Sequence, residues 1–213
     1  LTTLSRLVTS HTLRKAMETS GLKEQEQNVV LTCLAFGIGR VNDLCSTLCR
    51  WLPSLEAVAA SNGGQNKMPM ILDFVEANPI GGSGGDWSGQ IEWIIRVINN
   101  LSDSCLQSGN VARAPAQEAC LADDLAAAMV TDPPYYDAFG YSDLSEFFMP
   151  WLRRSVPPSI LNYNEDHVPK KQEAISIGKV LSDERGEKSD ITYLSSMRSA
   201  FKATRRAVRP DGI

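Results

Sequence analysis

The chain has 213 residues, 43% hydrophobic and 22% charged, which fits a soluble globular protein of one or two domains with a sizeable core. Its 21 basic and 25 acidic residues leave a net charge of −4. That excludes a uniformly basic nucleic-acid binder, so any DNA-contacting surface needs locally clustered cations or lies elsewhere.

No apolar run reaches the length of a membrane span, and Leu1 does not open a signal peptide. The five cysteines (Cys33, Cys45, Cys49, Cys105, Cys120) read as reduced thiols of a cytoplasmic protein rather than a disulfide framework.

Residues 1–20 predict one short helix. Residues 22–48 predict a longer one, with Val29, Val30, Cys33, Leu34, Phe36, Gly37, Val41, Leu44 and Leu48 broadly on one face. Gly37 and Gly39 weaken that helix or let something pack closely against it. Cys45 and Cys49 are spaced i, i+4. With only His11 and His167 in the chain and no second cysteine pair, two buried thiols are expected, not a metal site.

Residues 50–70 read as an irregular loop, and 68–75 as a short strand or apolar plug. The Gly-rich turn Asn78-Pro79-Ile80-Gly81-Gly82-Ser83-Gly84-Gly85 then leads into a helix over 88–101. Its stripe is Ile91, Ile94, Ile95, Ile98 and Leu101, flanked by Trp87 and Trp93. Residues 102–119 are loop-like, with a short strand expected around 111–114.

The apolar run 126–130 (A-A-A-M-V) is cut off by Thr131-Asp132-Pro133-Pro134-Tyr135-Tyr136-Asp137. A short apolar run ended by a proline pair predicts a buried strand, and Pro133 pushes Asp132 toward extended backbone. Asp132 then stands at the carboxyl end of a strand, where open α/β sheets bind ligands. Residues 138–141 form a turn, and Ser142 caps a helix with Leu144, Phe147, Phe148, Trp151 and Leu152 inward and Arg153 and Arg154 at its end. Residues 156–186 are a Pro- and charge-rich excursion. A long helix over 190–208 turns Leu194, Met197, Phe201, Thr204 and Val208 inward and crowds Lys202, Arg205, Arg206 and Arg209 into its last turns. Those four read first as a solvated face. The ending Arg209-Pro210-Asp211-Gly212-Ile213 is a helix stop and turn that should feed a strand beginning at Ile213. With an opening at Leu1, this suggests a piece of a longer chain.

Asp132-Pro133-Pro134-Tyr135 resembles the catalytic motif of the amino-methyltransferases that methylate exocyclic amines of DNA bases. The chemistry suits those residue types. An adenine amine is a poor nucleophile because its lone pair is delocalised into the ring. Two acceptors, the Asp132 carboxylate and the Pro133 carbonyl, would take its N–H bonds and tilt the nitrogen toward tetrahedral geometry. The proline pair stiffens that carbonyl, and Tyr135 would stack on the flipped base.

Further stretches narrow the resemblance. Tyr141-Ser142-Asp143-Leu144-Ser145-Glu146-Phe147-Phe148, Trp151-Leu152-Arg153-Arg154, Ser46-Thr47-Leu48-Cys49-Arg50-Trp51, Asp73-Phe74-Val75-Glu76-Ala77-Asn78-Pro79 and the terminal helix and turn over 201–212 are similar to the large adenine-specific DNA methylases of bacteria and archaea, which carry a zinc-ribbon segment.

That resemblance implies an α/β, partial Rossmann-like methyltransferase that uses S-adenosylmethionine. Residues 1–107 would form a mainly helical portion with the Gly-rich loop, and 108–213 the second half of the catalytic domain. Asp132, Pro133, Pro134 and Tyr135 would be catalytic, and Tyr136, Asp137 and Tyr141 would bind substrate.

The Pro79-to-Gly84 turn looks like the family's Phe-x-Gly-x-Gly cofactor turn, with Ile80 in place of Phe. Gly82 and Gly84 are therefore its cofactor candidates. Only about fifty residues separate it from Asp132, which is short for the intervening strands and helices, and a rigid loop beside the active site suits it better. In such methylases the cofactor turn and the zinc ribbon lie upstream, so the implied partners are DNA and the remainder of the same polypeptide. Cytosine methylated at its 4-amino group stays open as a substrate, with RNA and a protein glutamine amide more distant. So does a non-catalytic nucleic-acid-binding or assembly module.

Overall fold

A computed structural model describes residues 1–61, 68, 70–104, 107–112, 114–118, 121–136, 139–161 and 190–213. Regular structure among them is six helices and one two-stranded sheet. The chain divides into two compact units. The first holds Leu1–Cys105 and Ser142–Val168, the second Leu106–Tyr141 and Pro169–Ile213. The expected division was a single cut at 107/108, whereas residues 142–168 return to the first unit.

The first unit is built on helices. The segment expected as one N-terminal helix is two, α1 (Thr2–Val8) and α2 (His11–Thr19). Ser10 separates them: its backbone is extended, and its hydroxyl accepts the Leu13 N–H at 3.2 Å. That is the N-cap geometry that stops one helix and starts the next.

Helix α3 (Glu24–Leu44) follows, with the Glu26 carboxylate accepting the Lys23 N–H at 2.7 Å. The face it buries carries Gln27, Asn28, Leu31, Ala35, Ile38, Val41 and Asn42. Of the expected stripe, Gly37 and Val41 are buried and Cys33, Leu34 and Leu44 half-buried. Val29 and Phe36 are more than half exposed, because the buried stripe recruits amides as well as aliphatics. Gln27 donates to the Leu22 carbonyl at 2.9 Å, and Asn28 to the Ser159 hydroxyl at 3.2 Å, which offsets their burial. Val8, Met17, Leu31 and Ile38 form the core, with Leu4, Leu13, Leu34, Trp87 and Trp151 packed around it.

The loop expected over 50–70 contains a hairpin. Strand β1 (Arg50–Leu52) pairs antiparallel with β2 (Ala57–Ala59), Trp51 opposite Val58, and Leu55 N–H closes the turn on the Leu52 carbonyl. Residues 68–75 form no strand among those described. Met70 and Leu72 are about nine-tenths exposed, because Pro-flanked apolar residues found no sheet to join.

Helix α4 (Trp87–Ser104) begins within a residue of expectation and runs three residues further. Asp86 caps it, its carboxylate accepting the Gly89 N–H at 3.0 Å. Gly37 allows close packing: a β-carbon there would stand 2.6 Å from Ile91 Cδ1 and 3.2 Å from the Trp87 ring. Only the first half of the expected stripe is covered, and Ile95, Ile98 and Leu101 are 44–56% exposed.

Helix α5 (Tyr141–Ser155) starts one residue before the expected cap, so Ser142 lies buried in its first turn. Its expected apolar residues Leu144, Phe147, Phe148, Trp151 and Leu152 are half-buried, and Arg154 lies over the Trp151 ring at 5.5 Å. The excursion over 156–186 falls mostly outside the described residues, but Val156 and Pro157 at its start are buried.

The second unit is held by helix α6 (Asp190–Ala207) and two extended segments. Residues 126–130 form no full strand. A single parallel bridge joins Ala126 to Val208, and the pairing continues as Ile213 N–H to the Ala127 carbonyl and Met129 N–H to the Ile213 carbonyl. Between those contacts Arg209-Pro210-Asp211-Gly212 makes a tight turn, closed by Gly212 N–H on the Arg209 carbonyl at 3.0 Å. A β-carbon at Gly212 would stand 2.7 Å from the Ala127 carbonyl oxygen.

The expected burial of the apolar run fails. Val130 is 95% exposed and Met129 half-buried, because among the described residues only the segment 208–213 pairs beside them. Along α6, Leu194 and Phe201 are also exposed. Burial shifts to Ala207 and Val208, where the helix meets residues 124–126 through Asp124 N–H to the Arg206 carbonyl and Ala126 N–H to the Ala207 carbonyl. No strand forms at the described residues of 111–114, and Val111 is fully exposed. No helix of the described residues is long and apolar enough to cross a membrane.

Candidate active site

The proline pair produces its effect locally. Residues 131–135 form neither helix nor strand, directly after the segment anchored by residues 208–213. Asp132, Pro133, Pro134 and Tyr135 line one concavity of about 390 Å³, together with Phe139 and Tyr141. Asp132 is exposed.

Three rings make the aromatic wall. Tyr135 and Phe139 have centroids 5.9 Å apart, and Phe139 and Tyr141 are 5.7 Å apart, both tilted by about 42–43°. The Tyr135 N–H donates to the Tyr141 hydroxyl at 3.3 Å, which ties two residues of the lining to each other. A wall of tilted rings beside a carboxylate offers an apolar face and a hydrogen-bond acceptor to a flat, amine-bearing ligand.

The back of the motif is braced by α6. The Tyr193 hydroxyl donates to the Pro134 carbonyl at 2.9 Å, and its ring meets Tyr136 edge-on with centroids 5.1 Å apart. The Tyr136 hydroxyl in turn donates to the Asp190 carboxylate. Tyr136, expected beside the substrate, is therefore turned to the supporting helix and does not line the concavity. Asp137 lies outside the described residues.

Sequence reasoning missed the roles of Phe139 and Tyr193. An aromatic four residues past Tyr135 was a visible signal for the first. For Tyr193, nothing local shows that a helix nearly sixty residues on would reach the motif.

Gly82 and Gly84 belong to the first unit and do not line this concavity. Gly82 takes a φ of +72°, a conformation that suits glycine, and a β-carbon on either residue would meet nothing within 4 Å.

The residues present fit a flat acceptor better than a nucleoside-amino-acid cofactor. The concavity stands near the lower end of the roughly 300–1,000 Å³ typical of small-molecule sites. Among the described residues its lining offers the Asp132 carboxylate and no cation to meet a cofactor's own carboxylate.

Among the described residues no group of His, Cys, Asp and Glu is placed to hold a metal. The cysteine pair behaves as packing. Cys49 is fully buried, its thiol 3.2 Å from the Asp43 carbonyl, and Cys45 is half-buried. Burial pushes the Cys45 thiol above its usual range, with Cys49 and Asp86 adding to the effect. Cys105 and Cys120 are outside the described residues.

No family model, no curated protein and no solved structure matches the chain.

Proposed function

We propose that this chain carries the base-binding, catalytic half of a cytoplasmic DNA amino-methyltransferase that uses S-adenosylmethionine and acts on the 6-amino group of a flipped adenine. The observation that carries the reading is the single concavity lined by Asp132, Pro133, Pro134 and Tyr135 with two further rings. The Tyr193 hydroxyl engages the Pro134 carbonyl, so the acceptor roles fall to the Asp132 carboxylate and the Pro133 carbonyl. Tyr135 holds the base face, and Phe139 and Tyr141 complete an apolar slot that excludes water from one side of it.

The fold of the second unit is consistent with this role. The supporting observation is the parallel bridge from Ala126, ahead of the motif, to Val208, just after α6, since parallel pairing across a helical connection is the pattern of α/β sheets. We read this pairing as the Asp132-bearing edge of a Rossmann-like sheet. Binding of the methyl donor falls to the rest of the polypeptide, in keeping with the poor fit of the concavity to a cofactor.

Incubating the intact protein with labelled S-adenosylmethionine and mixed-sequence DNA, then resolving the digested nucleosides by mass, tests the proposal. Label in N6-methyladenine supports it, and label in N4-methylcytosine moves the substrate to the other base. Wild-type labelling by Asp132→Ala overturns the site.

A further inference from the structure

The exposed face of α6 has an unusual charge pattern for a chain of net charge −4. Arg198, Lys202, Arg205 and Arg209 follow one another at intervals of four, three and four, which stacks them along one side of the helix and its first residues beyond. All four are exposed, and residues 191–209 contain no Asp or Glu.

Two of the four have local partners. The Arg205 guanidinium donates to the Val208 carbonyl at 3.2 Å, and Arg209 stands 3.6 Å from Asp211. Arg206, at the edge of the row, pairs with Asp123 at 2.8 Å. Among the described residues, no carboxylate pairs with Arg198 or Lys202. Ile191, Leu194 and Phe201 are exposed on the same side, at 78%, 61% and 50%.

A solvated helix face usually interleaves both signs of charge. A row of cations with apolar groups between them and no acid instead matches a polyanion whose phosphates alternate with less polar surface.

We infer that this face of α6 is a nucleic-acid backbone surface, which delivers duplex DNA to the concavity on the same unit. The inference rests on the proposed function for its choice of polyanion. At 1.5 Å rise per residue, Arg198 to Arg205 spans about 10 Å, enough to meet two or three successive phosphates of one strand. The first turns of the same helix brace the motif through Tyr193 and Asp190, so backbone contact and base site share one element.

The test measures binding of a labelled 20-base-pair duplex across a salt series for the wild type, for Arg198→Gln/Lys202→Gln, and for the charge-matched Arg14→Gln/Lys15→Gln on α2. Removing two phosphate contacts should weaken binding on the order of tenfold or more near 0.1 M salt and flatten the log–log salt slope by about 1.8. The α2 variant should bind as the wild type does, and unchanged melting of each variant shows that its fold is intact.

Equal affinity and slope for the wild type and the α6 variant overturn the inference. So does preferential binding to phosphatidylserine vesicles over DNA, which would make the face a membrane contact. Methyl transfer to a short single-stranded adenine oligonucleotide separates the two proposals. If the α6 variant loses duplex affinity while the wild type methylates nothing, the surface stands and the catalytic reading falls. If methylation depends on Asp132 but duplex affinity ignores α6, the reverse holds.

Discussion

Helix α3 and the segment 126–141 are both rich in apolar residues, yet the structure uses them in opposite ways. In α3, Leu31, Ala35, Ile38 and Val41 are at most 1% exposed, and flanking amides are satisfied by hydrogen bonds. In the motif segment Val130 is 95% and Tyr135 56% exposed, and shape is held by a few directed bonds rather than by packing. Among the described residues, burial therefore follows the number of neighbouring elements rather than the hydrophobicity of the run. Substitutions in α3 should cost stability, whereas substitutions at the concavity should cost function.

The largest effect expected on this comparison is in α3. Ile38→Ala removes a fully buried side chain and should lower unfolding free energy by roughly 2–5 kcal/mol in a denaturant titration, with little change in activity per folded molecule. A loss below about 0.5 kcal/mol would erase the contrast between the two regions.

At the concavity, Asp132→Ala should reduce methyl transfer on the order of a hundredfold or more, equivalent to ~3 kcal/mol, because the amine keeps one acceptor of two. Its melting temperature should stay within a degree or two of wild type, since the side chain is exposed.

Gly212→Ala probes the parallel pairing that leads to the motif. The added carbon meets a backbone oxygen that cannot swing aside, so a destabilisation of roughly 1–3 kcal/mol is expected by thermal unfolding. Tyr135→Ala should weaken binding of a flipped base by roughly 1–3 kcal/mol and leave stability nearly unchanged, while Tyr135→Phe keeps most of the binding. A large fall in melting temperature with unchanged base binding would make Tyr135 a packing residue.

Smallest is Tyr193→Phe, which removes the hydroxyl on the Pro134 carbonyl and should cost about 0.5–1.5 kcal/mol of stability, with a measurable loss of turnover because the motif loosens.

What could be read from residues alone divides along the same line. Local signals worked. The start of α4, the ends of α6, the turn at 209–212 and the close packing at Gly37 all depend on residues a few positions apart. The gathering of Asp132, Pro133, Pro134 and Tyr135 about one concavity is also local, because the proline pair dictates it.

Non-local matters were not legible. The make-up of the α3 stripe depends on amides that find partners on distant residues, and Ser159 lies 131 positions from Asn28. The exposure of Val130 depends on how many segments lie beside it. The bracing of Pro134 by Tyr193 depends on a contact across 59 positions. The hairpin over 50–59 was hidden because Pro53 and Ser54 read as loop, although a turn between short strands uses such residues.

The central claim is that the concavity at Asp132 receives an extruded adenine. 2-Aminopurine substituted for adenine in duplex DNA tests it most directly, because its fluorescence rises when the base leaves the stack, and this readout needs no methyl donor. Binding of the wild-type protein should raise the fluorescence. Tyr135→Ala should diminish that increase while its melting temperature stays unchanged. Duplex binding with no fluorescence change, or an equal rise with Tyr135→Ala and Asp132→Ala as with wild type, would contradict it.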